Sequence, residues 1–281
     1  MFGGGSNLEM KIAFATCVQL GKSCIEEINR IGGHIDLLIT LNDEIAKNKS
    51  GRIYLDDIAN EQSTPLLKIN NINDPIVIDK LKSHEIDWLF IIGWSQIAKK
   101  ALLETPTHGC IGMHPTLLPV GRGRAAIPWA IIKKLDKTGV TMFKLDEGID
   151  TGDIIGQGVI QLDNKSTATG LYEKVNAMHI KLFSKYWEDI VNGKIILTKQ
   201  DDAKATEWPG RKPKDGEVLN SMTMEEADCL VRAVTHPYPG AFYKEGNKIT
   251  RIWSAKTNKN EGDIQLSDGF LVPIEYEIEG L

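Results

Sequence analysis

The sequence predicts an α/β protein: a doubly wound, Rossmann-like, mostly parallel sheet joined to a smaller, mainly β C-terminal domain. Three observations predict it. Up to about residue 200, short apolar runs alternate with longer amphipathic stretches, the pattern of strands buried on both faces and separated by helices. A polar stretch rich in Pro and Gly, Asp201–Gly216, interrupts that pattern. Beyond it, apolar and polar residues alternate, as in antiparallel strands with one covered face.

In chain order, Lys11–Ala15 reads as a strand, Lys22–Ile31 as a helix ended by Gly32-Gly33, and Ile35–Thr40 as a strand. After a polar stretch come a helix (Ile76–Lys82), a buried strand (Trp88–Ile92), a helix (Ala98–Leu103) and a short strand (Cys110–Met113). Ala125–Lys134 reads as a helix, Gly139–Leu145 and Ile154–Leu162 as strands. A long helix follows from about Ser166, a candidate N-cap, to Asn192, with Gly193 beyond its end. Past the linker, Thr223–Val234 is helical, and Lys248–Trp253 and Phe270–Tyr276 are strands. Met1–Glu9 resembles a cloning linker ahead of a natural start at Met10 and is set aside. The expected organisation is a catalytic domain over 10–200, then a linker and second domain over 201–281.

Of 281 residues, 42% are hydrophobic and 25% charged, enough apolar material for a sizeable core. The net charge of −5 argues mildly against nucleic acid as partner. No apolar run of about 18 residues and no charged-then-apolar leader is visible, so a cytoplasmic protein without a membrane span is expected. Cys17, Cys24, Cys110 and Cys229 are scattered and read as free thiols in a reducing compartment. No short-spaced Cys or His pairs suggest zinc. Gly21-Lys22-Ser23 invites a phosphate-loop reading, but Thr16 stands where that motif needs its first Gly.

The chemistry concentrates in Gly109–Gly156. His114 ends a strand and precedes Pro115; in open α/β sheets ligands sit beyond the carboxyl ends of strands. Asp150 lies in a Gly-rich loop after another strand, where a carboxylate can come within reach of the imidazole. Gly121-Arg122-Gly123-Arg124 makes a flexible basic loop whose guanidinium forks suit phosphate. A structural histidine and a solvated turn are the plainer alternatives.

At these residues the sequence resembles the folate-dependent formyltransferases, a family that includes methionyl-tRNA, glycinamide ribonucleotide and amino-sugar formyltransferases. His-Pro-Thr-Leu-Leu-Pro (His114–Pro119), Arg-Gly (Arg122–Gly123), Thr-Gly-Val-Thr (Thr138–Thr141) and Asp-x-Gly-x-Asp-Thr-Gly-Asp (Asp146–Asp153) stand in the family's order. Arg232–Phe242 is similar to a C-terminal module of the tRNA and nucleotide-sugar members.

The resemblance implies formyl transfer from N10-formyltetrahydrofolate to an amine, without a metal, with His114 and Asp150 at two of three catalytic positions. The third, an Asn two residues before the His, is Gly112 here. Losing such an oxyanion donor costs roughly 3–4 kcal/mol of barrier. Another donor takes over, or the protein is a degenerate folate- or nucleotide-binding one. Folate is expected against Trp88–Ala98, at Trp94, Ser95, Gln96 and Ile97, and near Asp146 in Leu145–Asp150.

Which amine is formylated turns on charge. Ala205–Leu281 carries nine Lys or Arg and thirteen Asp or Glu, net −4, a poor surface for tRNA. A formyl-folate hydrolase has no use for the Arg loop. The Gly112–Ala125 run is similar to sugar formyltransferases of surface-glycan pathways, such as the pseudaminic-acid type, and to formylation domains of some peptide synthetases. With no carrier or adenylation segment in the chain, the expected substrate is a nucleotide-linked amino sugar (UDP- or dTDP-linked, 4-amino-4,6-dideoxy). The expected contacts are Thr116, Arg122, Arg124, Trp208 and Arg211, with Trp129 and Tyr238 as aromatic candidates that serve equally as core. The apolar patterns of the C-terminal domain allow a homodimer or a core of its own.

Overall fold

The computed structural model describes residues 10–49 and 51–280; the linker-like Met1–Glu9 lies outside the described residues. The elements are β1 (Ile12–Ala15), α1 (Gln19–Arg30), β2 (Leu37–Leu41), α2 (Asp56–Gln62), β3 (Leu66–Ile69), α3 (Pro75–Ser83), β4 (Trp88–Ile91), α4 (Lys100–Leu103), β5 (Gly109–His114), β6 (Arg122–Gly123) and α5 (Ala126–Ile132). They continue with β7 (Lys137–Lys144), β8 (Ile154–Gln161), α6 (Ala168–Val191), β9 (Glu207–Trp208), α7 (Met224–Val234), β10 (Ala241–Glu245), β11 (Lys248–Asn258), β12 (Ile264–Gln265) and β13 (Phe270–Gly280).

Two compact units emerge, neither continuous in sequence. The first takes the chain up to His114, Val140–Gly158 and Asn176–Lys204; the second takes Pro115–Gly139, Val159–Val175 and the chain from Ala205 on. The compact units thus interleave along the chain. The reason lies in pairings across the sequence: β6 pairs in parallel with β9, and the Cys229 thiol of α7 donates to the Ile131 carbonyl of α5 at 3.1 Å.

In the main sheet the strand order is β3-β2-β1-β4-β5-β7-β8. The first five are parallel, and β7 lies antiparallel to β5. The sheet is thus mixed, with the mostly parallel core that the apolar runs predict. β1, β2 and β4 are buried at every residue, as strands covered on both faces must be. On one face Ala13, Leu37, Ile39 and Leu89 pack with Val77 and Leu81 of α3. On the other, Phe90 sits 5.7 Å from Phe14 and 5.1 Å from Phe183 of α6, centroid to centroid. Truncating one of these rings to Ala removes about 3–5 kcal/mol. The order reverses between β1 and β4, so the crevice that receives ligands in such folds opens at their carboxyl ends.

Local chemistry explains the element boundaries. Gly21 belongs to α1; a Cβ there would lie 1.9 Å from Thr16 Oγ1, so the Thr16 side chain packs directly against the helix backbone. The first turn of α6 is capped by Thr167, whose Oγ1 accepts from Gly170 N at 3.2 Å. Ser166, the expected cap, is instead engaged with Asp163 in the preceding turn, 3.0 Å from its carboxylate. At the other end Gly193 takes φ +67°, and Lys194 N closes back on Asp189 O at 2.7 Å. α2 and β3 fall in what reads as a polar stretch, being too short to show a period.

In the second unit, Thr223 and Glu226 form a reciprocal capping box that starts α7. The small sheet runs β10-β11-β13-β12, with every pairing antiparallel. β12 covers only Phe270 and Leu271 of β13, so from Val272 on that strand has no outer neighbour among the described residues. Among the described residues no helix is long and apolar enough to cross a membrane.

Candidate active site

Two regions carry the residues singled out by the sequence, one in each unit. In the first unit, His114 closes β5 and is 8% exposed. Its register partner on β7 is Thr141, so the two side chains share a face. Asp150 stands in the loop between β7 and β8, and its Oδ2 lies 3.6 Å from His114 Nδ1. The structure thus brings together two residues 36 positions apart in the chain, at ion-pair range and slightly beyond a hydrogen bond.

The loop that presents Asp150 is tightly fixed. Asp150 has φ +55°, a left-handed conformation that residues with a Cβ rarely adopt. Asp146 Oδ1 accepts from Gly148 N at 3.0 Å and from Thr151 Oγ1 at 2.6 Å. A Cβ on Gly152 would meet the Lys144 carbonyl at 1.7 Å, so the chain approaches β7 as only glycine permits. Gln200, which sequence reasoning leaves unremarked at the edge of the linker, donates from Nε2 to the carbonyls of Asp150 (2.8 Å) and Gly152 (2.7 Å).

Gly112 has a physical counterpart. A Cβ there would lie 2.7 Å from Leu145 Cδ2, so Leu145 occupies the volume that an Asn side chain would enter. Because the obstacle is the far end of a flexible side chain, a longer residue at 112 requires Leu145 to turn away.

The loop after β4 is the expected folate site. Gln96 Oε1 accepts from Ile72 N (2.8 Å) and Trp94 Nε1 (3.0 Å), and its Nε2 donates to Asn70 O (2.8 Å). The side chains of Trp94 and Gln96 therefore brace the loop, which leaves its backbone groups as the expected means of recognising a pterin. Lys49 Nζ holds the Gly93 carbonyl at 3.0 Å, and Asn73 holds that of Ile97 at 2.8 Å. Burial pulls the Lys49 ammonium below its ordinary range. Ser95 is exposed, and Ile97 presents an apolar side chain that is 63% exposed. A strip of peptide donors and acceptors at Trp94–Gln96, next to that apolar side chain, suits a flat heterocycle edged with both kinds of group. The residues present fit a pterin through backbone groups. Asp146, spent on its own loop, offers its second carboxylate oxygen at most.

In the second unit, Gly121-Arg122-Gly123-Arg124 packs on Trp208. A Cβ on Gly121 would reach the indole at 2.8 Å, and one on Gly123 the Trp208 carbonyl at 2.4 Å. Trp208 is 6% exposed and Thr116 1%. Trp208 is thus a packing residue: its ring is covered by the glycine loop and cannot stack on a ligand. Arg122 is likewise buried, whereas Arg124 is exposed. Trp129 is half-buried. The Arg211 guanidinium lies 4.9 Å above its ring and Lys133 Nζ 5.4 Å from it, while Trp129 Nε1 donates to Pro209 O at 2.8 Å. Arg211 also donates to the Asp215 carbonyl at 2.7 Å, and partial burial lowers its pKa. Tyr238 is core-like, its phenol pushed up to about 12 by burial and by nearby Tyr172.

Residues 11–186 match the family model described as formyl transferase, and residues 211–275 the one described as formyl transferase, C-terminal domain. The chain belongs to the formyl transferase family. Membership makes it a folate-dependent N-formyltransferase, with N10-formyltetrahydrofolate as formyl donor. Among relatives of this formyltransferase, the methionyl-tRNA formyltransferase of Clostridioides difficile is 31% identical over 88% of this chain and 80% of its own length. That of Lachnospira eligens is 26% identical over 96% and 93%. Among solved structures, an N-formyltransferase from Helicobacter canadensis, in complex with folinic acid and dTDP-3-aminofucose, shares the fold with TM-score 0.70 at 19% identity, over 95% of this chain and all of its own.

Proposed function

We propose that this enzyme formylates the amine of a nucleotide-linked amino sugar, of the UDP- or dTDP-linked 4-amino-4,6-dideoxy class. The observation that carries this reading is the placement of charge in the second unit. Two cations, Arg211 and Lys133, lie on the Trp129 ring, and Arg124 sits against Gly210 in the adjoining segment. The segment from Ala205 on, Arg211 included, is acidic, net −4. A diphosphate is satisfied by two or three placed cations, and the nucleoside base by an aromatic face. A tRNA backbone needs a broad basic surface, which this segment lacks. The Helicobacter canadensis enzyme, with its dTDP-linked amino sugar, supports the same reading. A methionyl-tRNA formyltransferase is the second reading, favoured by the sequence relatives.

The donor supplies a formyl carbon already activated by its attachment to nitrogen. His114 accepts the proton that the attacking amine must shed, or steadies the developing oxygen charge. Asp150 orients the imidazole and stabilises its protonated form. With Leu145 in the place of an Asn side chain, the oxyanion is met by His114 or by a backbone N–H. The strip at Trp94–Gln96 and the Ile97 side chain bind the pterin.

Incubation with N10-formyltetrahydrofolate and either a panel of amino-sugar nucleotides or methionyl-tRNA tests the reading. A formylated nucleotide sugar is the expected product. Turnover on aminoacylated tRNA alone overturns it in favour of the second reading. Folate binding without turnover on any acceptor shows a degenerate site.

A further inference from the structure

We propose that Gln200 is a positioning residue for formyl transfer: its amide locks the Asp150 loop in the turn that aims the carboxylate at His114. The inference rests on the reading of His114 and Asp150 as the catalytic pair. The turn that Asp150 adopts, with φ +55°, is left-handed; Asp tolerates it better than most residues bearing a Cβ, yet it still costs more than the right-handed region and is kept where the surroundings hold it. The first half of the loop is held from within, by Asp146 on Gly148 N and Thr151 Oγ1. The second half is held from outside. One side-chain amide, Gln200 Nε2, spends both its N–H groups on the carbonyls either side of Thr151, at 2.8 and 2.7 Å.

Gln200 is itself anchored. Two residues earlier, Thr198 makes a reciprocal backbone pair with Ile154, the first residue of β8, at 2.9 and 2.8 Å. The clamp therefore refers the loop to a strand of the sheet rather than to another loop. Gly152, against the Lys144 carbonyl, fixes the exit of the loop. Without the amide, two convergent carbonyls lose their donor, and the peptide after Asp150 is free to turn towards a more favourable φ. The Asp150 side chain then swings with its Cα away from His114. The nearest replacements fall short: Asn is a methylene short, Glu offers carbonyls no donor and repels them, and Met fills the volume without an N–H.

The test uses Gln200→Met and Gln200→Glu in the full-length protein, alone and with Asp150→Ala. Hydrogen–deuterium exchange of the ligand-free protein is expected to rise at least about tenfold at 146–153 in Gln200→Met, with the melting temperature held within a few degrees. With N10-formyltetrahydrofolate and the amino-sugar nucleotide that is turned over, kcat falls roughly 10- to 100-fold, as for a misplaced catalytic group. KM for both substrates stays within about threefold, and Gln200→Glu is the more damaged variant. In the Asp150→Ala background, Gln200→Met costs less than about twofold, because a residue that acts through Asp150 has nothing left to position. Unchanged loop exchange, a wild-type kcat, or the same loss in both backgrounds overturns the proposal. Full activity of Asp150→Ala overturns the catalytic pair itself, and the exchange data then tell that failure apart from a failure of the clamp.

Discussion

Around Asp150 the fixed points are mostly backbone groups: the Asp150 and Gly152 carbonyls taken by Gln200, the Gly148 amide taken by Asp146, and a glycine pressed on Lys144. Around Trp129 they are side chains lying on a ring, with Arg211 and Lys133 above the indole. The first arrangement tolerates little displacement, because each atom is tied to the sheet through short covalent paths. The second adapts, since stacked cations on long stems can slide over an aromatic face at small cost. Under the proposed function the stiff region would serve proton transfer and the compliant one recognition of the acceptor.

The most severe way to break the stiff region is through the pair itself. His114→Ala and Asp150→Asn are each expected to lower kcat by about 10²- to 10⁴-fold, the usual worth of a positioned acid or base; near-full rates in either variant reject the assigned roles. The compliant region should respond more mildly. Arg211→Ala is expected to raise KM for the nucleotide sugar about tenfold, roughly 1.4 kcal/mol, with kcat nearly unchanged. If the donor's KM rises instead, the Trp129 region serves folate rather than the acceptor.

The smallest effect lies outside both regions and gives their baseline. Glu27 is 7% exposed, and its carboxyl is held down at about 2, chiefly by Arg30 and also by Ser184. Its ordinary value is near 4.5, so the stability it contributes is complete above that pH and is lost as pH falls towards 2. With Arg30 largely in solvent, the contribution is about 1–2 kcal/mol. Glu27→Gln should flatten the acid limb of melting temperature against pH between these values, leaving kcat at neutral pH intact. A parallel curve shows that Glu27 is not coupled to folding.

The sheet was readable because its signal is local. Ile12–Ala15 and Trp88–Ile91 are unbroken apolar runs, and the cap Thr223 sits directly before its helix. His114 and Asp150 were visible because each ends or follows a strand, and the structure brings them together. Gln200 escaped notice because its meaning depends on carbonyls 50 and 48 residues away. Trp208 misled for a different reason: an indole suits a ligand face and a core alike, and only the bare backbone of Gly121 and Gly123 decides between them. The discontinuous units were hidden likewise, since a two-residue strand such as β6 shows no pattern until β9 lies beside it.

The outer edge of β13 has a practical bearing. Ile274, Tyr276 and Ile278 are exposed there, alternating with Glu275, Glu277 and Glu279. Such an edge invites a foreign strand. Antiparallel self-pairing that keeps the apolar residues together also sets glutamate against glutamate; with Glu279 paired to Arg251 and Glu275 beside His236, Glu277 carries most of the repulsion that guards the edge. The guard works through space and is thinned by electrolyte, with screening lengths of about 3 Å at 1 M salt. Concentrated salt is therefore the condition under which this protein is expected to self-associate, and dilute buffer the one in which it should be stored.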